Sequence, residues 1–62
     1  MTYKLESKVI SNTTLSAVIA NMAHWINEYG FDGDEIEDVV FFKDQNYGTW
    51  CATIYYYWNS ET

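Results

Sequence analysis

The sequence predicts an α+β domain of β-α-β-β order, a three-stranded sheet with one helix packed on one face. Three observations carry that expectation. Residues 11–30, SNTTLSAVIANMAHWINEYG, hold an apolar stripe of helical period. Residues 2–10 alternate as a strand does. Residues 39–59 read as two β-rich runs joined by turn residues. The whole chain, 1–62, is expected to form a single domain.

In the first strand Tyr3, Leu5, Ser7 and Val9 point one way, and Lys4, Glu6 and Lys8 the other. The apolar row is expected to be buried and the charged row to face outward. Lysines on an outer strand guard against edge-to-edge pairing, so this strand is placed at an edge.

In the helix Leu15, Val18, Ile19, Met22, Ile26 and Tyr29 make the stripe. Ser11 is the expected N-cap, with Asn12, Thr13 and Thr14 as rivals. Ile10 and Leu15 are placed for a hydrophobic staple. Gly30 suits the left-handed closing position. Ala17, Ala20, Asn21, His24, Asn27 and Glu28 form the other face, read either as solvated or as a surface for another chain. Trp25, at the border, is expected at the edge of the core.

The run FDGDEIED follows, with Asp32, Asp34, Glu35, Glu37 and Asp38 as five acids in seven positions. It reads as a solvated connection, a cation site or an acidic patch for a basic partner. The spacing departs from the EF-hand loop, because the glycine comes too early and the distal glutamate is missing.

Val39 to Lys43 is apolar on both faces, so its second face is covered by its own fold or by another chain. Residues 44–48, DQNYG, are turn chemistry. In the last strand Trp50, Ala52, Ile54, Tyr56 and Trp58 are expected to face the helix. Thr49, Cys51, Thr53, Tyr55 and Tyr57 then form an outer face, either wet or an interface, with Phe41 or Phe42 beside it. The aromatic contact residues singled out are Tyr47, Tyr55 and Tyr57, since tyrosine joins an apolar body to a polar tip. A right-handed crossover followed by a hairpin gives the spatial order 1-3-2, with the longest strand in the middle.

A chain of this size buries only about 60% of its unfolded surface, so oligomers or unusually good packing are common solutions. One cysteine excludes an internal disulfide and fits a reducing, cytoplasmic setting. The net charge is −6, with no arginine. That balance argues against direct nucleic-acid binding and against anionic membranes, and favours basic protein partners. No apolar run approaches a membrane span, and no leader is read at the start. The sequon Asn12-Thr13-Thr14 is read as chance.

Catalytic constellations are not found. The single histidine, His24, shares a helix face with Glu28 and reads as a surface residue. Cys51 has no sequence neighbour that would activate it. There is no phosphate loop and no Ser–His–Asp set. The chain is expected not to be an enzyme and to hold neither metal nor cofactor.

Ser11 to Leu15, Ile26-Asn27-Glu28, Glu37-Asp38-Val39-Val40 and Ala52-Thr53-Ile54-Tyr55-Tyr56 give the chain a layout that resembles two groups of small proteins. One is the dodecins, flavin-storing shells of strand–helix–strand–strand subunits. The other is a family of short sporulation-associated proteins. The dodecin likeness implies self-assembly around an aromatic ligand. The dodecins stack flavin on a tryptophan near the start of the second strand. Here Val39 to Phe42 stand in that region, so the flavin site is not carried over.

Two functions follow. The first is a small acidic inhibitor or adaptor of the phage or mobile-element type. It would dock on a basic surface of a nucleic-acid-handling complex such as a CRISPR effector. The second is a self-assembling module, with or without a small aromatic ligand, in the manner of the dodecins.

Overall fold

The structure, a computed structural model, describes residues 3–31 and 35–59. It is a single α+β domain with β1 at Tyr3–Asn12, α1 at Leu15–Tyr29, β2 at Ile36–Asp44 and β3 at Thr49–Asn59. The sheet order is β1-β3-β2, and β3 pairs antiparallel with both neighbours. β1 and β2 are therefore parallel to each other across the central strand, as a helical crossover requires.

β1 runs two residues further than its alternation indicates. Ser11 pairs with Cys51 and Asn12 with Trp50. Ladder pairing keeps Ser11 in the strand, so it is not the helix cap. The Asn12 side chain then accepts from the Thr13 N–H at 2.7 Å, which turns the chain. Thr14 is the N-cap, extended at φ −124° and ψ 152°, and its hydroxyl accepts from the Ala17 N–H at 3.2 Å. At the other end Gly30 adopts φ 71°, and its N–H donates to the Ile26 carbonyl at 3.0 Å. That left-handed step favours glycine and turns the chain toward Phe31.

The fully buried centre is small: Val18 of the helix with Ala52 and Ile54 of β3, and Cys51 nearly buried on the same strand. Ile10, Met22, Trp25, Ile26 and Val39 are half-buried around them. The helix packs mainly on β1 and β3. Its buried stripe is rotated relative to the expected one, toward Trp25 and away from Leu15 and Ile19, which are exposed.

The largest correction concerns β1. Paired residues of an antiparallel ladder share a face. Lys4, Glu6, Lys8 and Ile10 stand opposite Trp58, Tyr56, Ile54 and Ala52, so the charged row lies on the helix side. Leu5, Ser7 and Val9 stand opposite Tyr57, Tyr55 and Thr53, on the side without a helix. The apolar row is not buried: Leu5 is 55% and Val9 58% exposed. Ile10 decides the phase, because it supplies the apolar contact that Val9 was expected to make. Lys4 and Lys8 stay exposed on the helix side, which suits lysine because its stem can cover apolar surface while its head reaches water.

Candidate functional site

The open side of the sheet is built by the registers alone. Across it run the rows Leu5–Tyr57, Ser7–Tyr55–Asp38, Val9–Thr53–Val40 and Ser11–Cys51–Phe42. Val40, Phe42 and Tyr55 are exposed, like Leu5 and Val9. Phe41, one residue away from Phe42, falls on the helix side opposite Ala52. Among the described residues, the centre of the open side carries no charge. Lys4, Lys8 and Lys43 all fall on the helix side, and the acids Asp38 and Asp44 lie at the β2 margin.

The residues singled out as a contact surface separate in three dimensions. Tyr55 and Tyr57 sit on the open side. Tyr47 does not; it is at the tip of the β2–β3 hairpin and 80% exposed. That turn is closed by the Gly48 N–H donating to the Asp44 carbonyl at 2.8 Å, while the Asp44 carboxylate accepts from the Asn46 N–H at 3.0 Å. Of the acidic run, Asp32 and Asp34 lie outside the described residues. Glu35 is half-buried. The pairing shifts between Ile36 and Asp38, which makes Glu37 the extra residue of a β-bulge at the sheet edge. Asp38 accepts from the Val39 N–H at 2.9 Å and faces the open side. The acids thus form a margin beside the open face.

The second feature is on the helix side and was not visible in the sequence. Trp25, Tyr29, Phe31, Tyr56 and Trp58 cluster where the helix ends. Ring centroids are 5.2 Å apart for Trp25–Tyr56, 4.9 Å for Phe31–Tyr56 and 5.6 Å for Phe31–Trp58. Glu6 and Lys8 of β1 join these rings in lining a cleft of about 270 Å³. Burial, and next to it the Glu6 carboxylate and Tyr29, push the Tyr56 phenol above the usual tyrosine value. The signal that could have found the cleft is the reversed phase of β1, which alone brings Glu6 under the aromatic rings.

His24 and Glu28 meet at 3.3 Å on the exposed back of the helix. Cys51 is a free thiol packed on the open side of β3. Among the described residues no three His, Cys, Asp or Glu side chains gather into a group able to hold a metal. No described helix is long and apolar enough to cross a membrane.

Comparison with known proteins finds no matching family model, no matching curated protein and no matching solved structure. The β-α-β-β layout is present, and no match supports the resemblance to dodecins or to short sporulation-associated proteins.

Proposed function

We propose that this chain is a non-enzymatic binding protein that lays its open sheet face on a partner protein with a basic rim. The single observation that carries this reading is the uncharged centre of that face, flanked by exposed Leu5, Val9, Val40 and Phe42 and bordered by acids at the β2 margin. Depletion of charge at the centre, with aromatic residues and a polar rim, is the composition of protein interfaces.

Magnitudes divide the work. Covering the exposed halves of Leu5, Val9, Val40 and Phe42 is worth about 1 kcal/mol each. A rim ion pair gives about 0.2–1 kcal/mol. The rows supply affinity, and Asp38, Asp44 and Glu37 supply orientation and on-rate. Three strands about 4.8 Å apart and roughly 30 Å long project roughly 450 Å². A standard interface takes about 800 Å² per partner, so the acidic margin has to take part. A partner that handles nucleic acid presents the required basic surface. An inhibitor or adaptor of the phage type, acting on a complex such as a CRISPR effector, fits this chemistry as a class.

The test is capture by the immobilised chain from extracts of its source or host cell, compared with a Val9→Asp, Phe42→Asp double variant. A basic, nucleic-acid-handling complex held by the wild type, released by salt and lost with a folded double variant supports the reading. Equal capture by both proteins contradicts it. The self-assembling alternative is favoured by the same face in a domain with so small a core. Light scattering separates the two: an oligomer that the double variant dissociates assigns the face to a second copy.

A further inference from the structure

We propose that the aromatic cleft between β1 and the end of α1 is a binding site for a guanidinium group, carried by an arginine side chain of a partner protein. The cleft is on the helix side of the sheet, so this inference stands apart from the open-face reading and fails or holds separately.

Size comes first. At about 270 Å³ the cleft falls below the roughly 300–1,000 Å³ of pockets that enclose whole small molecules. It has room for the end of one side chain. Chemistry comes next. Its walls are five aromatic rings, which attract cations over their faces. Among its lining residues Glu6, Tyr29 and Tyr56 carry acceptor oxygens. An alkylated ammonium without N–H groups would leave those acceptors unused. A guanidinium presents a planar fork of donors to a carboxylate and stacks on aromatic rings as well. The chain has no arginine, so neither its own side chains nor those of a second copy can supply the group.

Lys8 also lines the cleft, and Lys4 flanks Glu6 on the same face of β1. Both are exposed. Their compact, strongly hydrated ammonium groups are weaker competitors for the rings than guanidinium. They nevertheless oppose a cationic guest, and this gives the test its sign.

The experiment titrates the full chain with N-acetyl-arginine amide, following tryptophan fluorescence and the indole N–H signals in NMR. Saturable binding in the millimolar range is expected, shifting Trp25 and Trp58 and not Trp50, which lies under Lys43 at the far end of β3. N-acetyl-citrulline amide, uncharged and of the same shape, is expected to bind at least tenfold more weakly. Methylguanidinium, without the aliphatic stem, is expected to be weaker by a few fold; equal affinity would overturn the assignment to a side chain. Glu6→Gln should weaken arginine binding about tenfold, and Lys8→Gln should strengthen it two- to threefold. Both positions are exposed, and circular dichroism checks that the variants fold. Equal binding of the citrulline compound, or loss of binding in Lys8→Gln with none in Glu6→Gln, overturns the proposal.

Discussion

Lys8 stands directly opposite Ile54, and Ile54 is completely buried. A lysine thus occupies the helix side of β1 at the level of the core, while Val9 beside it faces away. This one pairing sets the phase of the whole strand. It creates both candidate surfaces, the apolar open face and the cleft that contains Glu6.

The two sides of the sheet should respond differently to substitution. Ile54→Ala removes the largest part of a small core and is expected to cost about 2–5 kcal/mol, enough to unfold much of a domain this size. Val9→Lys should change stability by no more than about 0.5 kcal/mol and reduce binding of a hydrophobic dye. Urea denaturation of the two variants checks the contrast. Equal losses would place Val9 in the core.

The helix cap gives a second comparison. Thr14→Ala is expected to cost about 1 kcal/mol, because the Ala17 N–H loses its acceptor. Ser11→Ala should cost less than half as much, since the Ser11 backbone is held by the β3 ladder. Thermal unfolding of both variants measures the difference.

Gly48 closes the hairpin at φ 67°, and a Cβ there would meet nothing within 4 Å. Any cost of Gly48→Ala is therefore conformational and not steric crowding. It is expected at about 1–2 kcal/mol, read from the denaturation midpoint. Gly30→Ala, at φ 71° and also in open space, should lose a similar amount.

Tyr56 gives a pH dependence. Burial, then Glu6 and Tyr29, favour its protonated phenol in the folded state. The folded pKa lies above the unfolded value, so the resulting stabilisation is complete below about pH 10. It is lost as pH rises through the folded pKa. Ultraviolet titration should show one late-ionising tyrosine that disappears in Tyr56→Phe. Glu6→Gln should bring it partway back toward the ordinary value.

The order of elements was legible because each has a strong local period. Val18, Met22 and Ile26 mark the helix, Ala52 and Ile54 mark the central strand, and DQNYG marks the hairpin. The 1-3-2 order followed from placing the most apolar strand in the middle. The phase of β1 was not legible. Alternation says that Tyr3, Leu5 and Val9 share a face, and it does not say which layer covers that face. Ile10, the last residue of the alternating run and in phase with Lys4, Glu6 and Lys8, is the local sign of the opposite phase, although its position before the helix also suits a staple. Tyr55 and Tyr57 were placed on the open side by alternation. Tyr47, grouped with them as an aromatic contact residue, lies instead in the hairpin turn, since a turn residue follows no strand period. The cleft draws Glu6, Trp25, Phe31 and Tyr56 from distant parts of the chain, which local patterning does not join.

The most direct measurement is a methyl and aromatic NOE map of the monomeric chain combined with a soluble paramagnetic relaxation agent. Ile10 should show NOEs to α1, while Leu5 and Val9 show none and relax strongly along with Val40 and Phe42. NOEs from Leu5 or Val9 to Val18 or Met22, with Ile10 facing solvent, would contradict the account.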